Sequence, residues 1–271
     1  MPGPMIDCHN HSLPGIDDGA RDMGYALCMA QGAVAAGITT IIATPHHLNG
    51  VYTNPRKQIL KAIMEFQTAI AAAGIPLRIY PGSELHLVPE LPTQLREGEA
   101  LTYADKGKAA LVELPKRTIP TGAERILEQL LYQGITPVIA HPERNATLAS
   151  HPERAADWVS WGCKLQLTAQ SCAGDFGQAI QAVCRRWCQE GLVHLIASDA
   201  HRTERRPPDL RAGADVVEKW LGQKAVDLFT RINPQRLIDG VELLDLQADE
   251  LRPPPRKRSR KHHWLRQLTG L

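Results

Sequence analysis

MIDCHNHSLPGIDDGA, residues 5–20, sets a short apolar run, MIDC, directly ahead of His9, His11 and Asp17. Loops collect histidines and aspartates for many reasons, so any one of these residues says little by itself. The same arrangement recurs along the chain. Further apolar runs are TTIIAT (39–44), PLRIYP (76–81), AALVEL (109–114), TPVIAH (136–141), KLQLT (164–168) and HLIAS (194–198). Helical patterns separate them: 25–37 closes at Gly37, and 54–74 opens on Asn54-Pro55 and closes at Gly74. Others are expected near 121–133, 152–161, 177–190 and 209–222. Strand-like runs alternating with helices predict an α/β fold with a parallel sheet covered on both faces. Right-handed crossovers would close or nearly close seven such units into a (β/α) barrel.

At or just past the carboxyl end of nearly every run stands a residue able to hold a cation. The first run gives His9, His11 and Asp17, the second His46 and His47, the third Glu84 and the fourth Glu113. The fifth gives His141, the seventh Asp199 and His201, and the sixth offers Gln166 or Gln170. In (β/α) barrels those strand ends meet on one rim, where active sites lie. Ligands spread over nearly the whole chain should therefore converge. Imidazole and carboxylate donors without thiolate suit manganese, iron or zinc, and nine candidates exceed the needs of one ion. Two or three ions are expected, with Glu84 and Glu113 as bridges. Only one of two adjacent strand-end residues points inward, which sets His47 aside. His86, His151, His194, His262 and His263 read as structural or surface residues.

The six cysteines form no C-x-x-C pair and read as reduced, mostly buried thiols of a cytoplasmic protein. No run of 18 apolar residues suggests a membrane span, and MPGPMIDCHN lacks the basic and apolar segments of a secretory signal. The net charge of +2 hides an asymmetry. Residues 252–271 carry seven Lys or Arg and no acid, leaving −5 for the rest. The expected organisation is one barrel domain over 1–245 and a basic, flexible tail over 246–271. Such a tail suits weak contact with an anionic membrane surface at the inner face; no nucleic-acid partner is expected.

HNHSLPGIDDGA, TPHH, GSE, ELP, AHPERN and ASDAH followed by RRPP occur in this order between residues 9 and 208. Together they resemble the PHP (polymerase and histidinol phosphatase) superfamily and, within it, the CpsB/CapC-type bacterial protein-tyrosine phosphatases, which are manganese-dependent. The resemblance implies a distorted seven-stranded barrel with a trinuclear centre. It also implies metal ligands at His9, His11, Asp17, His46, Glu84, Glu113, His141, Asp199 and His201, and phosphate-binding arginines at Arg144 and Arg206. Asn10 stands where the family commonly has Ser, and Cys8 is an unusual neighbour. The implied activity is hydrolysis of phosphotyrosine monoesters by a metal-activated hydroxide. The implied substrate is a bacterial tyrosine autokinase that controls capsule or exopolysaccharide synthesis. Cysteine-based phosphatases resemble one another in a Cys followed six residues later by Arg. Here those positions hold Pro14, Val34, Ala169, Gln178, Glu190 and His194.

Alternatives remain at this level. The same rim suits a small phosphate ester such as histidinol phosphate. An amidohydrolase often bridges paired metals with a modified lysine, but the fourth run ends in Glu113 and Lys116 lies beyond the proline. A binding protein that kept the fold would have lost ligands, and none is missing. QSCAGDFG (170–177) is expected to shape the site wall, and Tyr52 to lie in a substrate-facing loop.

Overall fold

β1 (Met5–Asn10) is buried at all six positions and runs parallel to β2 (Ile38–Ala43). The computed structural model describes residues 3–246; the basic tail expected from 246 onward lies outside the described residues beyond Leu246. Seven more strands follow among the described residues: β3 (His46–His47), β4 (Arg78–Pro81), β5 (Glu84–His86), β6 (Ala109–Glu113), β7 (Thr136–Ala140), β8 (Lys164–Thr168) and β9 (Val193–Ala197). All pairings between them are parallel, in one sheet of order β1-β2-β4 and another of order β3-β5-β6-β7-β8-β9.

Seven apolar runs thus correspond to nine strands, because two runs are followed by a short strand in the other sheet. β2 gives way to β3 across Thr44-Pro45, and β4 to β5 across Gly82-Ser83. The two breaks sit at the same level: Ala43 pairs with Pro81 before them and His46 with Glu84 after them. Pro45 has no N–H to continue the ladder, while its carbonyl accepts from Glu84 N (3.0 Å). Gly82 lets the backbones approach; a Cβ there would stand 3.0 Å from Ile42 Cγ2 and 3.2 Å from Ala43 O. At the other side the sheets meet through a parallel bridge between Asn10 and Ala200. Asp199 N donates to His9 O there, and His11 N to Ala200 O, each at 2.9 Å.

Helices form where the pattern places them, at Met23–Ala35, Arg56–Ala72, Ala123–Tyr132, Pro152–Trp161, Gln178–Gln189 and Arg211–Leu221. Asp22 caps the first by accepting from Tyr25 N at 2.8 Å. Their apolar faces cover the outside of the strands in one large core that includes Phe66, Trp158, Trp187 and Phe229. A second, smaller core lies on the inner faces of the strands and positions the site: Ile6, Cys8, Ile42, Leu111, Val138, Ala140, Leu195 and Ala197, with Tyr103 and Leu237.

Strand alternation carries this inner face up to the ligands. Ile42 leads by steps of two to Thr44 and His46, Leu111 to Glu113, and Leu195 through Ala197 to Asp199 and His201. Two departures from period two bring in the rest. A register shift between Asp7 and Asn10 turns His9 and His11 inward above Ile6 and Cys8. His141, one residue after Ala140, takes a left-handed backbone (φ 34°). Asp199 is left-handed too (φ 53°). Such conformations cost roughly 1–2 kcal/mol in an L-residue, and here both belong to side chains aimed at one point.

Candidate metal centre

Glu84 is the hub. Its Oε1 lies 2.8 Å from His141 Nε2 and 3.3 Å from His9 Nε2; its Oε2 lies 2.9 Å from His46 Nδ1 and 3.3 Å from His11 Nε2. Four imidazoles thus crowd one buried carboxylate. His46 Nδ1 and Glu84 Oε2 are close, yet neither makes a hydrogen bond. At that separation both atoms could ligate one cation, as members of the His46, Glu84 and Glu113 donor group. Burial by itself would raise the Glu84 carboxyl, but His9, His11, His141 and His46 hold it well below the usual carboxylate range.

The imidazoles are oriented from behind. His9 Nδ1 meets Gln166 Oε1 at 2.8 Å, His11 Nδ1 meets Asp17 Oδ2 at 2.7 Å, and His201 Nδ1 meets the Asp199 carbonyl at 2.9 Å. Each acceptor fixes an Nδ1–H tautomer and leaves the Nε2 lone pair facing the centre, the usual arrangement behind metal-bound histidines. His9 Nε2 and His11 Nε2 then face each other at 3.2 Å. Two lone pairs at that distance repel unless a cation or proton lies between them.

Four overlapping groups of donors arise, each with ligand atoms within 4.8 Å of one another: His9, His11 and Glu84; His9, His141 and Asp199; His46, Glu84 and Glu113; and His11, Asp18, His46 and His201. Eight of the nine expected ligands take part. Asp17 takes part in none. It stands behind His11 and also accepts from His46 N at 3.2 Å, while its neighbour Asp18 reaches His201 Nε2 at 3.3 Å and His46 Nε2 at 3.4 Å. His47 turns away, as expected, and its Nδ1 accepts from Asn54 N at 3.0 Å.

The donors open into a cavity of about 200 Å³. Four carboxylates line it (Asp18, Glu84, Glu113 and Asp199) against three permanent cations, Lys116, Arg144 and Arg206. A dianionic phosphate ester would meet net repulsion there. Divalent ions would reverse that balance, and the hard oxygen and imidazole donors suit manganese, iron or zinc. The residues fit the implied ions.

Asp199 divides its work. Oδ1 stands 3.4 Å from both His9 Nε2 and His11 Nε2, and Oδ2 accepts from Nη2 of Arg144 and of Arg206. Burial would raise its carboxyl, yet Arg144, the two histidines and Arg206 hold it well below the usual range. Phe176, within the expected wall segment, lies under Arg144 with the guanidinium carbon 5.7 Å from the ring centre. Tyr52 stacks on His46 at 6.1 Å with 9° between the planes.

Residues 5–239 match the sequence family described as capsular polysaccharide synthesis, CpsB/CapC. The chain belongs to the CpsB/CapC family. Tyrosine-protein phosphatase YwqE of Bacillus subtilis strain 168 is 36% identical to it over 257 residues, 95% of this chain and 98% of that protein. The putative tyrosine-protein phosphatase CapC of Staphylococcus aureus is 30% identical over 203 residues, 75% and 79% of the two chains. A crystal structure from work on B. subtilis YwqE and Streptococcus pneumoniae CpsB, described there as metal-dependent tyrosine phosphatases, is also similar. It superposes with a TM-score of 0.85 at 35% identity, covering 93% of this chain and all of that one.

Within this CpsB/CapC chain, motif reading passed over several residues of the site. Asp18 was eclipsed by its neighbour in PGIDDGA. Asp7, fully buried, accepts from Ser198 N (2.9 Å), Ser198 Oγ (2.6 Å) and Asn10 Nδ2 (2.8 Å), and so ties β1 to the segment carrying Asp199. Burial pushes its carboxyl up while those donors pull it back. Its signal was a carboxylate inside an apolar run, where an ionisable group needs partners. His86, read as structural or surface, lies with Nδ1 3.5 Å from Glu113 Oε2. Glu143 is buried, accepts from Thr168 N at 3.0 Å, and braces the segment that carries Arg144. The tie exists only in three dimensions.

Proposed function

We propose that this chain is a metal-dependent protein-tyrosine phosphatase. The observation that carries the reading is the cavity itself, in which histidines and carboxylates from the strand ends stand beside two arginines that share one aspartate oxygen. The ligands would be His9, His11, His46, Glu84, Glu113, His141, Asp199 and His201, with Asp18 completing the outer group and Asp17 setting the orientation of His11. Two or three ions fit this set, Mn²⁺ foremost and Fe or Zn compatible. The parallel order of the strands and the Asn10–Ala200 junction support a closed, distorted barrel around them.

Bound divalent ions supply an activated water and neutralise phosphoryl charge. The chain does the rest. Anchored Nδ1–H groups keep the imidazoles pointing inward and spare reorganisation. Arg144 and Arg206 offer planar forks to the phosphoryl oxygens as charge grows on them. Asp199 Oδ2 holds both forks beside the reacting group. A tyrosyl leaving group, with a phenol pKa of about 10, departs with little proton donation, which a bound water or a rim histidine or aspartate could supply.

The relatives' names and the family's link to capsular polysaccharide synthesis support a phosphotyrosine-bearing protein as substrate. We take that protein to be a bacterial tyrosine autokinase of capsule or exopolysaccharide export, with the enzyme in the cytoplasm near the inner face of the membrane. No helix among the described residues is long and apolar enough to cross a membrane. The test is chelation followed by return of Mn²⁺, Fe²⁺, Zn²⁺ or Mg²⁺, with phosphotyrosine peptide and histidinol phosphate as competing substrates. Recovery with Mn²⁺ and a higher kcat/KM for the peptide are expected. Turnover that survives chelation, or preference for histidinol phosphate, would overturn the reading.

A further inference from the structure

Of the three permanent cations that line the cavity, two are committed. Arg144 and Arg206 both end on Asp199. Lys116 faces the same cavity and has no carboxylate partner among the described residues. An exposed lysine is most often just solvated, so its backbone setting matters. The carbonyls of residues 115–118 are all engaged. Asn145 Nδ2 donates to Pro115 O (2.6 Å) and Thr118 O (3.0 Å), Ala146 N to Lys116 O (3.2 Å), and Thr147 Oγ1 to Arg117 O (2.8 Å). The donors directly follow Arg144 in the chain. Lys116 and Arg144 therefore ride on one hydrogen-bonded unit, which fixes the root of the lysine against the phosphate-binding wall.

Size decides what the ammonium can meet. A cavity of about 200 Å³ falls below the roughly 300–1,000 Å³ of pockets that enclose a drug-sized ligand. It admits the phosphoryl end of a substrate and leaves the flanking polypeptide at the rim. Lys116 is exposed at that rim, three residues past Glu113. Resting on the phosphatase reading above, we propose that Lys116 is a specificity-determining residue. Its ammonium receives a second anionic group of the substrate segment, either the carboxylate of a neighbouring acidic residue or the phosphate of a neighbouring phosphotyrosine. The charge asymmetry of the site favours this partner. Once the cavity carboxylates are occupied by divalent ions, no carboxylate among the described residues is left to neutralise Lys116.

The experiment uses the full chain loaded with Mn²⁺ and three peptides that differ only beside the phosphotyrosine: a neutral flank, a glutamate flank and a second phosphotyrosine. Wild type is expected to favour one or both anionic flanks over the neutral one by about three- to tenfold in kcat/KM, the size of a rim ion pair next to a low-dielectric cleft. That ratio should fall to about one in Lys116→Ala, invert in Lys116→Glu and survive in Lys116→Arg. It should also shrink at about 1 M salt, where the screening length is about 3 Å. The arm that responds, carboxylate or phosphate, names the source of the anion. A wild-type ratio near one, or a ratio unchanged in Lys116→Glu, would overturn the proposal. If none of the three peptides is hydrolysed, the phosphatase reading fails instead. Anisotropy of the same peptides, fluorescently labelled, then decides Lys116 separately: flank-dependent affinity lost in Lys116→Glu supports it, and equal affinities overturn it.

Discussion

Asp17 and Asp18 are adjacent in the chain and serve opposite sides of the same imidazole layer. Asp17 grips His11 Nδ1 from behind at 2.7 Å, and Asp18 faces the Nε2 atoms of His46 and His201 from the open side. Asp17 is nearly buried, whereas the Asp18 side chain is 51% exposed. One carboxylate sets a tautomer; the other is placed to touch an ion.

The pair can be separated by counting ions. Asp18→Asn is expected to lower the number of Mn²⁺ ions retained per chain, measured by elemental analysis after dialysis. Asp17→Asn should keep the count and weaken affinity by about 10- to 100-fold, the usual cost of losing a partner behind a ligand. Equal effects of both variants on both readouts would contradict the division.

Arg144 and Arg206 meet on one oxygen, so their contributions should not be independent. Arg144→Lys and Arg206→Lys are each expected to cut kcat/KM for an aryl phosphate by about 10- to 100-fold, because an ammonium lacks the planar fork and charged hydrogen bonds are worth roughly 1.5–3 kcal/mol. The double variant should lose less than the product of the two. A strictly multiplicative loss would mean that the two arginines work apart.

Asp7 only accepts, and every partner facing it donates. Asp7→Asn turns an NH₂ toward Ser198 Oγ or Asn10 Nδ2 and is expected to cost about 1–3 kcal/mol in urea unfolding. Activity should fall as well, through the displaced Ser198-Asp199 segment. Full stability with full activity would show that the tie between β1 and Asp199 is dispensable.

His194 sits at the opposite end of β9 from the ligands. Its Nδ1 accepts from Leu165 N at 3.2 Å, and its Nε2 lies 2.9 Å from Asp245 Oδ1. Burial holds its pKa below the ordinary histidine value despite the help of Asp245. The unfolded chain then binds the proton more readily, so stability should drop as pH falls through about 6.5. Asp245, held below its usual range first by His194 and then by Lys164, keeps its contribution until pH falls below the ordinary aspartate value. In the metal-free protein, the difference in thermal midpoint between wild type and His194→Gln should therefore shift between neutral pH and about pH 5.5. A difference that stays constant across that range would exclude His194 as the titrating group.

Much of the site could be read along the chain because strand alternation is local. Once Leu111 or Leu195 is known to face inward, Glu113, Asp199 and His201 follow by steps of two. Helix positions were legible for the same reason, from periodicity and from stops such as Gly37 and Gly74. His9, His11 and His141 could be placed just past their strand ends but not by steps of two, since a register shift and a left-handed backbone take them out of that phase. The jogs at Thr44-Pro45 and Gly82-Ser83, which turn seven runs into nine strands, depend on two chain segments breaking at one level, and neither segment reveals that alone.

The linear order of residues determined the α/β alternation, the family motifs and the identity of most candidate ligands, since these depend on composition and on spacings of a few residues. Tertiary structure decided which of Asp17 and Asp18 faces the cavity, that Glu84 is shared by four imidazoles, that both arginines converge on Asp199, and that Lys116 alone among the cavity's permanent cations lacks a carboxylate among the described residues. The physical reason is that a side chain's direction and its partners are set by backbones brought together from distant parts of the chain, and a carboxylate acts as ligand or as support according to what stands on its other side.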